Sequence, residues 1–380
     1  MINFLRQFLK PKYETLNSIE ISKENILDNF KVLQENQKEA AIFPVLKSNA
    51  YGHGLKEICQ ILNDSDAPMV AVDSFPEAQV AYRYFKRKVL ILGEMPPRVY
   101  SYCKLKRTEF CVYNQSSLEA LASLGKAKIH LFINSGMNRE GIKDLQKFLA
   151  DNKNLLKKVT VVGLCSHLLA AEEGGDSNNR QLAVFLDSLK ILREAGYDPK
   201  WIHLGNSAGI FTIKDENLTA FRSGLALYGY SPLSKNSPDY YKTEALKPAL
   251  SLTSTIISLQ DLEIGETVSY NGIYMAEHKT KIAVIPFGYY EGLPRKLSGR
   301  ATFMLKKDEA TLPVKIAGNV CMNLTCLDLG DLDGEIGDKI EIISTTKDQP
   351  NSLANLALLS DKIIYELLVG LQSNIRRYVS

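Results

Sequence analysis

The 380-residue chain has one tryptophan, five histidines and six cysteines, and no apolar run approaching the ~20 residues that a membrane helix needs. Cys59, Cys103, Cys111, Cys165, Cys321 and Cys326 are scattered and form no CxxC pair, and the histidines bring no metal-ligand spacing beside them. A disulfide framework and a structural zinc are therefore both disfavoured, and a reducing compartment is expected. Charge of one sign is also lacking. A formal net charge of +3 spread over the whole chain is too weak and diffuse to make the basic footprint that nucleic acid requires. The amino-terminal stretch MINFLRQFLKPKYETL is broken by charges and Pro11, without the longer apolar segment and small-residue cleavage site of a signal peptide. The sequence reads as an unexported, cytoplasmic protein that acts on a small molecule.

What is present is a chain long enough for two cores. Eight short apolar, β-branched runs lie before Tyr230: Phe43–Leu46, Met69–Val72, Val89–Leu92, Phe110–Tyr113, Ile129–Ile133, Thr160–Cys165, Trp201–Leu204 and Phe221–Tyr228. Amphipathic stretches such as PEAQVAYRYF, SSLEALASLG and NNRQLAVFLDSLKILREAG separate them, with Gly125 and Gly196 at helix-stop positions. Eight βα units over about 230 residues suit an α/β fold of the (β/α)8 type better than an open doubly wound sheet. From about Leu250 the texture changes to short alternating strands with turn residues, and NSLANLALLSDKIIYELLVGLQ reads as one capped helix near the end. The expected organisation is a barrel over residues 1–245, with the first residues packing on the second domain, and a mainly β domain with a carboxy-terminal helix over 246–380. The polar segment Ser231–Lys247 is the expected linker.

Barrel enzymes carry their reactive groups at the carboxyl ends of the strands. Lys47 follows FPVL, Asn134 and Ser135 follow IHLFI, His167 follows VVGLCS, and Asn206 with Ser207 follow WIHLG. A lysine held at a barrel mouth is partly desolvated, which lowers its pKa and suits it to imine formation with a carbonyl compound. A lone lysine there would more often simply reach for solvent. The context Lys47-Ser-Asn-Ala-Tyr51-Gly-His-Gly is more specific than that. Ser207, in NSAG, reads first as a helix N-cap, a role compatible with holding a phosphate.

VLKSNAYGHG resembles the lysine motif of the alanine racemase family, fold type III pyridoxal-phosphate enzymes. The resemblance continues in order through SGMNREG, CSH, HLGNSAG, FRSGLALYG, VSYNGIY, FGYYEG and GNVCMN, covering nearly the whole chain. It implies pyridoxal 5'-phosphate as cofactor and a two-base α-proton transfer that interconverts L- and D-alanine. Lys47 would carry the cofactor and serve one face of the substrate. Tyr270 would serve the other, supplied by the second subunit of a homodimer and assisted by His167 and Arg222. Arg222 would face the pyridine nitrogen and, because a guanidinium does not readily give up its proton, leave that nitrogen unprotonated. The resemblance places the phosphate on Tyr51, Ser207 and the backbone N–H groups of Gly224 and Leu225, with Asn206 beside them. Arg139 and the backbone N–H of Met322 would meet the substrate carboxylate. The use implied for D-alanine is peptidoglycan.

The sequence departs from the family at several points. Phe132 stands where a lysine that orients the arginine is common, and Asn134 where an acid is common. Asn319 and Asn323 replace charged residues, and Ser373 falls near a position often held by tyrosine. A wider pocket admitting serine is one alternative. A fold type III decarboxylase, which Cys321 keeps open and Arg222 opposes, is a second. A non-catalytic cofactor binder is a third.

Overall fold

A computed structural model of the chain describes residues 14–173 and 175–380, and these divide into two compact units. One holds residues 22–249 with 379–380, and the other residues 14–21 with 250–378. Residues 14–21 thus group with the second unit, through strand β1 (Ser18–Ile21). The first thirteen residues lie outside those described.

The first unit is the (β/α)8 barrel. Its strands are β2 (Ala41–Pro44), β3 (Met69–Val72), β4 (Lys88–Ile91), β5 (Thr108–Val112), β6 (Lys128–Phe132), β7 (Thr160–Cys165), β8 (Trp201–His203) and β9 (Ala220–Ser223). β3 to β8 form one parallel sheet in chain order, and β2 pairs parallel with β9. A bridge between Val45 and Ala71 joins β2 to β3. Backbone bonds from Thr219 N to Ile202 O and from Arg222 N to Gly205 O join β9 to the β8 side, which closes the ring. Phe43, Val45, Met69, Ala71, Leu90, Cys111, Phe132, Cys165, Trp201 and Ala220 form one buried cluster to which all eight strand segments contribute, as a filled barrel interior requires.

Side-chain caps set several helix starts. Ser22 accepts from Asn25 N before the helix Lys23–Asn36, Asn114 from Ser117 N before Gln115–Leu124, and Asp144 from Lys147 N before Leu145–Asp151. Three expectations need correction. The last apolar run is a strand only to Ser223, because Gly224 breaks it and Leu225–Tyr228 wind into a 3-10 turn. The segment 231–247 is not a free linker. Thr243 and Leu246 are buried, and Lys247 exchanges two backbone bonds with the buried Asn29 side chain, 2.8 Å each, so it straps the barrel. After β4 no α-helix follows: Pro96 and Pro97 introduce a 3-10 segment, Pro97–Tyr102.

In the second unit β10 (Leu250–Thr255), β11 (Ser258–Leu262), β12 (Thr267–Val268), β13 (Tyr274–Met275), β14 (Thr280–Ile285), β15 (Thr302–Lys307), β16 (Ala310–Ala317), β17 (Thr325–Gly330), β18 (Lys339–Ile343) and β19 (Arg376–Val379) follow. Eight of them with β1 form a nine-stranded sheet in the order β11-β14-β17-β16-β15-β18-β10-β1-β19, and β12 and β13 pair separately. The expected single helix is two, Leu353–Ser360 and Ile364–Gly370. Asp361 ends the first in the left-handed region (φ 55°), where its N–H and that of Lys362 return to Leu358 O and Ala357 O. Among the described residues no helix is long and apolar enough to cross a membrane.

Candidate active site

Lys47 lies just beyond the carboxyl end of β2, at the inward register of Phe43 and Val45. The chain from Ser48 through Tyr51 has φ between 51° and 56°, so four successive non-glycine residues wind one left-handed turn before Gly52. Such a turn costs about 1–2 kcal/mol per L-residue and persists only where its surroundings hold it. Here Glu77 holds it. One carboxylate oxygen accepts from Ser48 N at 2.7 Å and the other from Asp73 N at 2.8 Å, tying the turn to the end of β3. Asn49 Oδ1 accepts from Leu55 N, and the Lys47 ammonium lies 3.9 Å from Asp73. The turn carries Tyr51 into the interior, where burial and then Asp73 push its phenol up to about 12, so it stays a hydrogen-bond donor.

The expected N-cap is shifted by one residue. Asn206, not Ser207, caps the helix Ser207–Thr212, its Oδ1 accepting from Ala208 N and Gly209 N at 3.1 Å each. Ser207 Oγ is thereby free to accept from Gly224 N at 2.9 Å and from Ala226 N at 3.3 Å. Gly224 is glycine for space, since a Cβ there would collide with the Tyr51 hydroxyl. Two hydroxyls and two backbone N–H groups therefore meet at one cradle with no side-chain cation among them. That is a donor set fitted to a phosphate. Ala226 joins it beside the expected Gly224 and Leu225.

Arg222 follows the inward register of β9 and is 5% exposed. Its Nη2 donates to Ser166 O at 2.6 Å and to His167 Nδ1 at 3.2 Å, and its Nη1 to His203 Nδ1 at 2.7 Å. Burial, and then the charges of Arg222, Arg139 and Lys47, hold His167 down at about 3, so the ring is neutral and Nε2 carries its proton. Lys47, Arg139 and Arg222 thus lie close enough to His167 for their charges to act on it, at one end of the barrel.

Arg139 sits in the loop after β6, half exposed, with Nε and Nη2 both on Glu140 Oε1, 3.0 and 2.5 Å away. Asn134 shapes this loop by accepting from Gly136 N and Asn138 N at 3.1 Å each. Phe132 is buried against the Tyr113 ring, centroids 4.7 Å apart, so an apolar contact fills the position where a lysine is common.

Within the second unit Asn319 ties Tyr270 to the segment that leads to Met322. Asn319 Nδ2 donates to Tyr270 O at 2.8 Å, Ser269 Oγ donates to Asn319 O at 3.1 Å, and the Met322 carbonyl accepts from Tyr290 N. Tyr270 is 70% exposed, Ile273 and Met275 are exposed just after it in the chain, and Met322 and Leu324 are exposed farther along. Tyr274 bonds Asp328 at 2.7 Å and is fixed inside the unit.

Asp73, Glu77, Glu109, His130 and His203 were not singled out in the sequence. The last three sit at inward register inside apolar strands, a parity signal that a residue-by-residue search for strand-end groups passes over.

Two family models match the chain: alanine racemase, N-terminal domain, over residues 21–232, and alanine racemase, C-terminal domain, over residues 249–379. The chain is 31% identical to the alanine racemase of Staphylococcus saprophyticus over 97% of its own length and 96% of that protein. It is 31% identical to that of Borreliella burgdorferi over 93% and 94%. Among solved structures, the alanine racemase of Bacillus anthracis with bound L-Ala-P superposes with a TM-score of 0.87 at 27% identity, covering 97% of this chain and 96% of that one. With a lysine-bearing left-handed turn, a hydroxyl-and-amide cradle and a buried arginine at one end of its barrel, and with both domain models matched along its length, the chain belongs to the alanine racemase family.

Proposed function

We propose that the chain interconverts L- and D-alanine, with pyridoxal 5'-phosphate held by Lys47 and the cradle of Tyr51, Ser207, Gly224, Leu225 and Ala226. The observation that carries this reading is the Ser207–Gly224–Tyr51 convergence beside the turn that begins at Lys47. Bound there, the cofactor supplies an electron sink for the substrate's α-carbon. Everything else falls to the chain. The Tyr51 and Ser207 hydroxyls and the backbone amides bind the phosphate. The Arg222 guanidinium donates to the ring nitrogen without surrendering its proton, since a guanidinium offers donors only and is not deprotonated in proteins. The Lys47 amine takes or returns the α-proton on one face, and the Tyr270 hydroxyl does so on the other. Arg139, steadied by Glu140, binds the carboxylate together with the Met322 N–H. A guanidinium rather than an acid on the ring nitrogen favours racemisation over the decarboxylase alternative.

A homodimer follows, with Tyr270 of one subunit completing the site of the other. Its 70% exposure among exposed apolar neighbours supports a covered face. The cytoplasm is the proposed location and peptidoglycan the proposed destination of D-alanine. The test is α-deuterium incorporation from heavy water with chiral product analysis, giving the cofactor-loaded protein L-alanine and, separately, L-serine. Deuterated D-alanine is expected. Faster turnover of serine would move the reading to the wider-pocket alternative, and no exchange with either would move it to a non-catalytic binder.

A further inference from the structure

The barrel interior holds an arginine with no acid beside it. Among the described residues no carboxylate is ion-paired with Arg222, although it is 5% exposed and must keep its charge. Its Nη1 donates to His203 Nδ1 at 2.7 Å. A guanidinium carries donors only, so this Nδ1 is the accepting nitrogen and the His203 proton lies on Nε2. That Nε2 is 2.8 Å from His130 Nδ1, which must then accept, leaving His130 Nε2–H to donate to Glu109 Oε2 at 3.0 Å. The other Glu109 oxygen accepts from Lys88 Nζ at 2.6 Å. The polarity of each link is forced by a pure donor at one end and a carboxylate at the other. Glu109 begins near the amino-terminal end of β5, so the run threads the barrel from one end to the other.

Space is reserved for this run. Both imidazoles are fully buried, and Glu109 is 1% exposed. Gly163 on β7 lacks a Cβ where one would strike the His130 ring, and the β6–β7 pairing shifts register between Ile129 and His130. The glycine admits the His130 ring, and the bulge sets its direction.

We propose that Glu109 and His130 are positioning residues for Arg222, the one-way run of hydrogen bonds through His203 and His130, anchored on the Glu109 carboxylate, fixing the guanidinium on the cofactor nitrogen. The cofactor half of this statement rests on the function proposed above, whereas the run itself does not. Glu109→Gln exposes its logic. The amide must turn its NH2 either to the Lys88 ammonium or to His130. The second choice reverses both imidazoles and aims an N–H at Arg222. Adding Lys88→Met removes the conflict and restores the charge sum of the run.

The experiment is long-range 1H–15N NMR of the apoprotein labelled at histidine, paired with titration of pyridoxal 5'-phosphate. His130 and His203 are expected as neutral Nε2–H tautomers in the unaltered protein. Glu109→Gln is expected to mix tautomers at both and to raise the cofactor Kd about tenfold, the loss of roughly one hydrogen bond to a charged group. The pair Glu109→Gln/Lys88→Met is expected to recover both. An Nδ1–H or charged ring in the unaltered protein overturns the proposal whether or not any variant folds. So does an unchanged Kd in the single variant, or a double variant no better than the single. The tautomers need no cofactor, so their measurement can succeed where the cofactor reading fails, and the reverse.

Discussion

Lys47 has 43% of its side chain exposed, so its removal costs little packing. Lys47→Ala is expected to lower alanine racemisation at least about a thousandfold, the scale of a lost acid–base and anchoring group, while thermal unfolding followed by Trp201 fluorescence is nearly unchanged. A second residue-scale expectation concerns acid. Burial first, with positive charge beside it, depresses the folded-state pKa of His167 to about 3 and holds that of His203 well below its ordinary range, and burial also lowers His130. A depressed folded pKa gives stability that is complete above the unfolded value near ~6.5 and is lost as pH falls below it, by up to about 1.4 kcal/mol per pH unit for each histidine. Urea midpoints read by Trp201, the single tryptophan and a barrel residue, should therefore begin to fall below pH 6.5. Midpoints that stay flat down to pH 4.5 would contradict neutral buried rings. At this scale Lys47, Tyr51, Ser207 and Arg222 were legible because each sits in a distinctive short motif. Glu109, His130 and His203 were not, because each is a lone polar residue in an apolar run and only the register of separate strands brings them together.

At the scale of elements, the left-handed turn after Lys47 depends on a residue twenty-nine positions away, the separation between Ser48 and Glu77. Glu77→Ala removes two charge-assisted bonds and is expected to destabilise the barrel by about 1–3 kcal/mol. Hydrogen exchange at the Ser48 amide should accelerate and racemisation should drop, with Lys47 itself intact. Protection equal to the unaltered protein would show that the turn holds itself. Asp361→Gly in the second unit should act in the opposite direction. It relieves a left-handed residue between two helices and is expected to add about 0.5–1 kcal/mol. Strand positions were readable from apolar runs, and the start of the helix Leu353–Ser360 from its Asn-Ser cap. The left-handed turn was not, because nothing in KSNAY marks four positive φ angles, and the break at Asp361 was hidden by apolar spacing that continues across it.

For the whole molecule, the proposed sharing of Tyr270 between subunits gives a mixing test. Lys47→Ala and Tyr270→Phe variants, each inactive alone, should regain up to about a quarter of normal activity when unfolded together and refolded, because half of the random dimers are mixed and each of those has one intact site. No recovery would place both residues in one subunit's site. The order of events during synthesis is set by another feature, strand β1. Its partner β10 lies about 230 residues downstream, so at roughly 5–20 residues per second β1 leaves the ribosome some 10–50 s before that partner exists. For that interval Ile19 and Ile21, fully buried in the finished sheet, are bare and next to an unpaired strand edge. A nascent chain stalled after the barrel therefore carries a sticky leading end, and its capture by a holding chaperone, or its clumping without one, should cease once residue 255 has emerged.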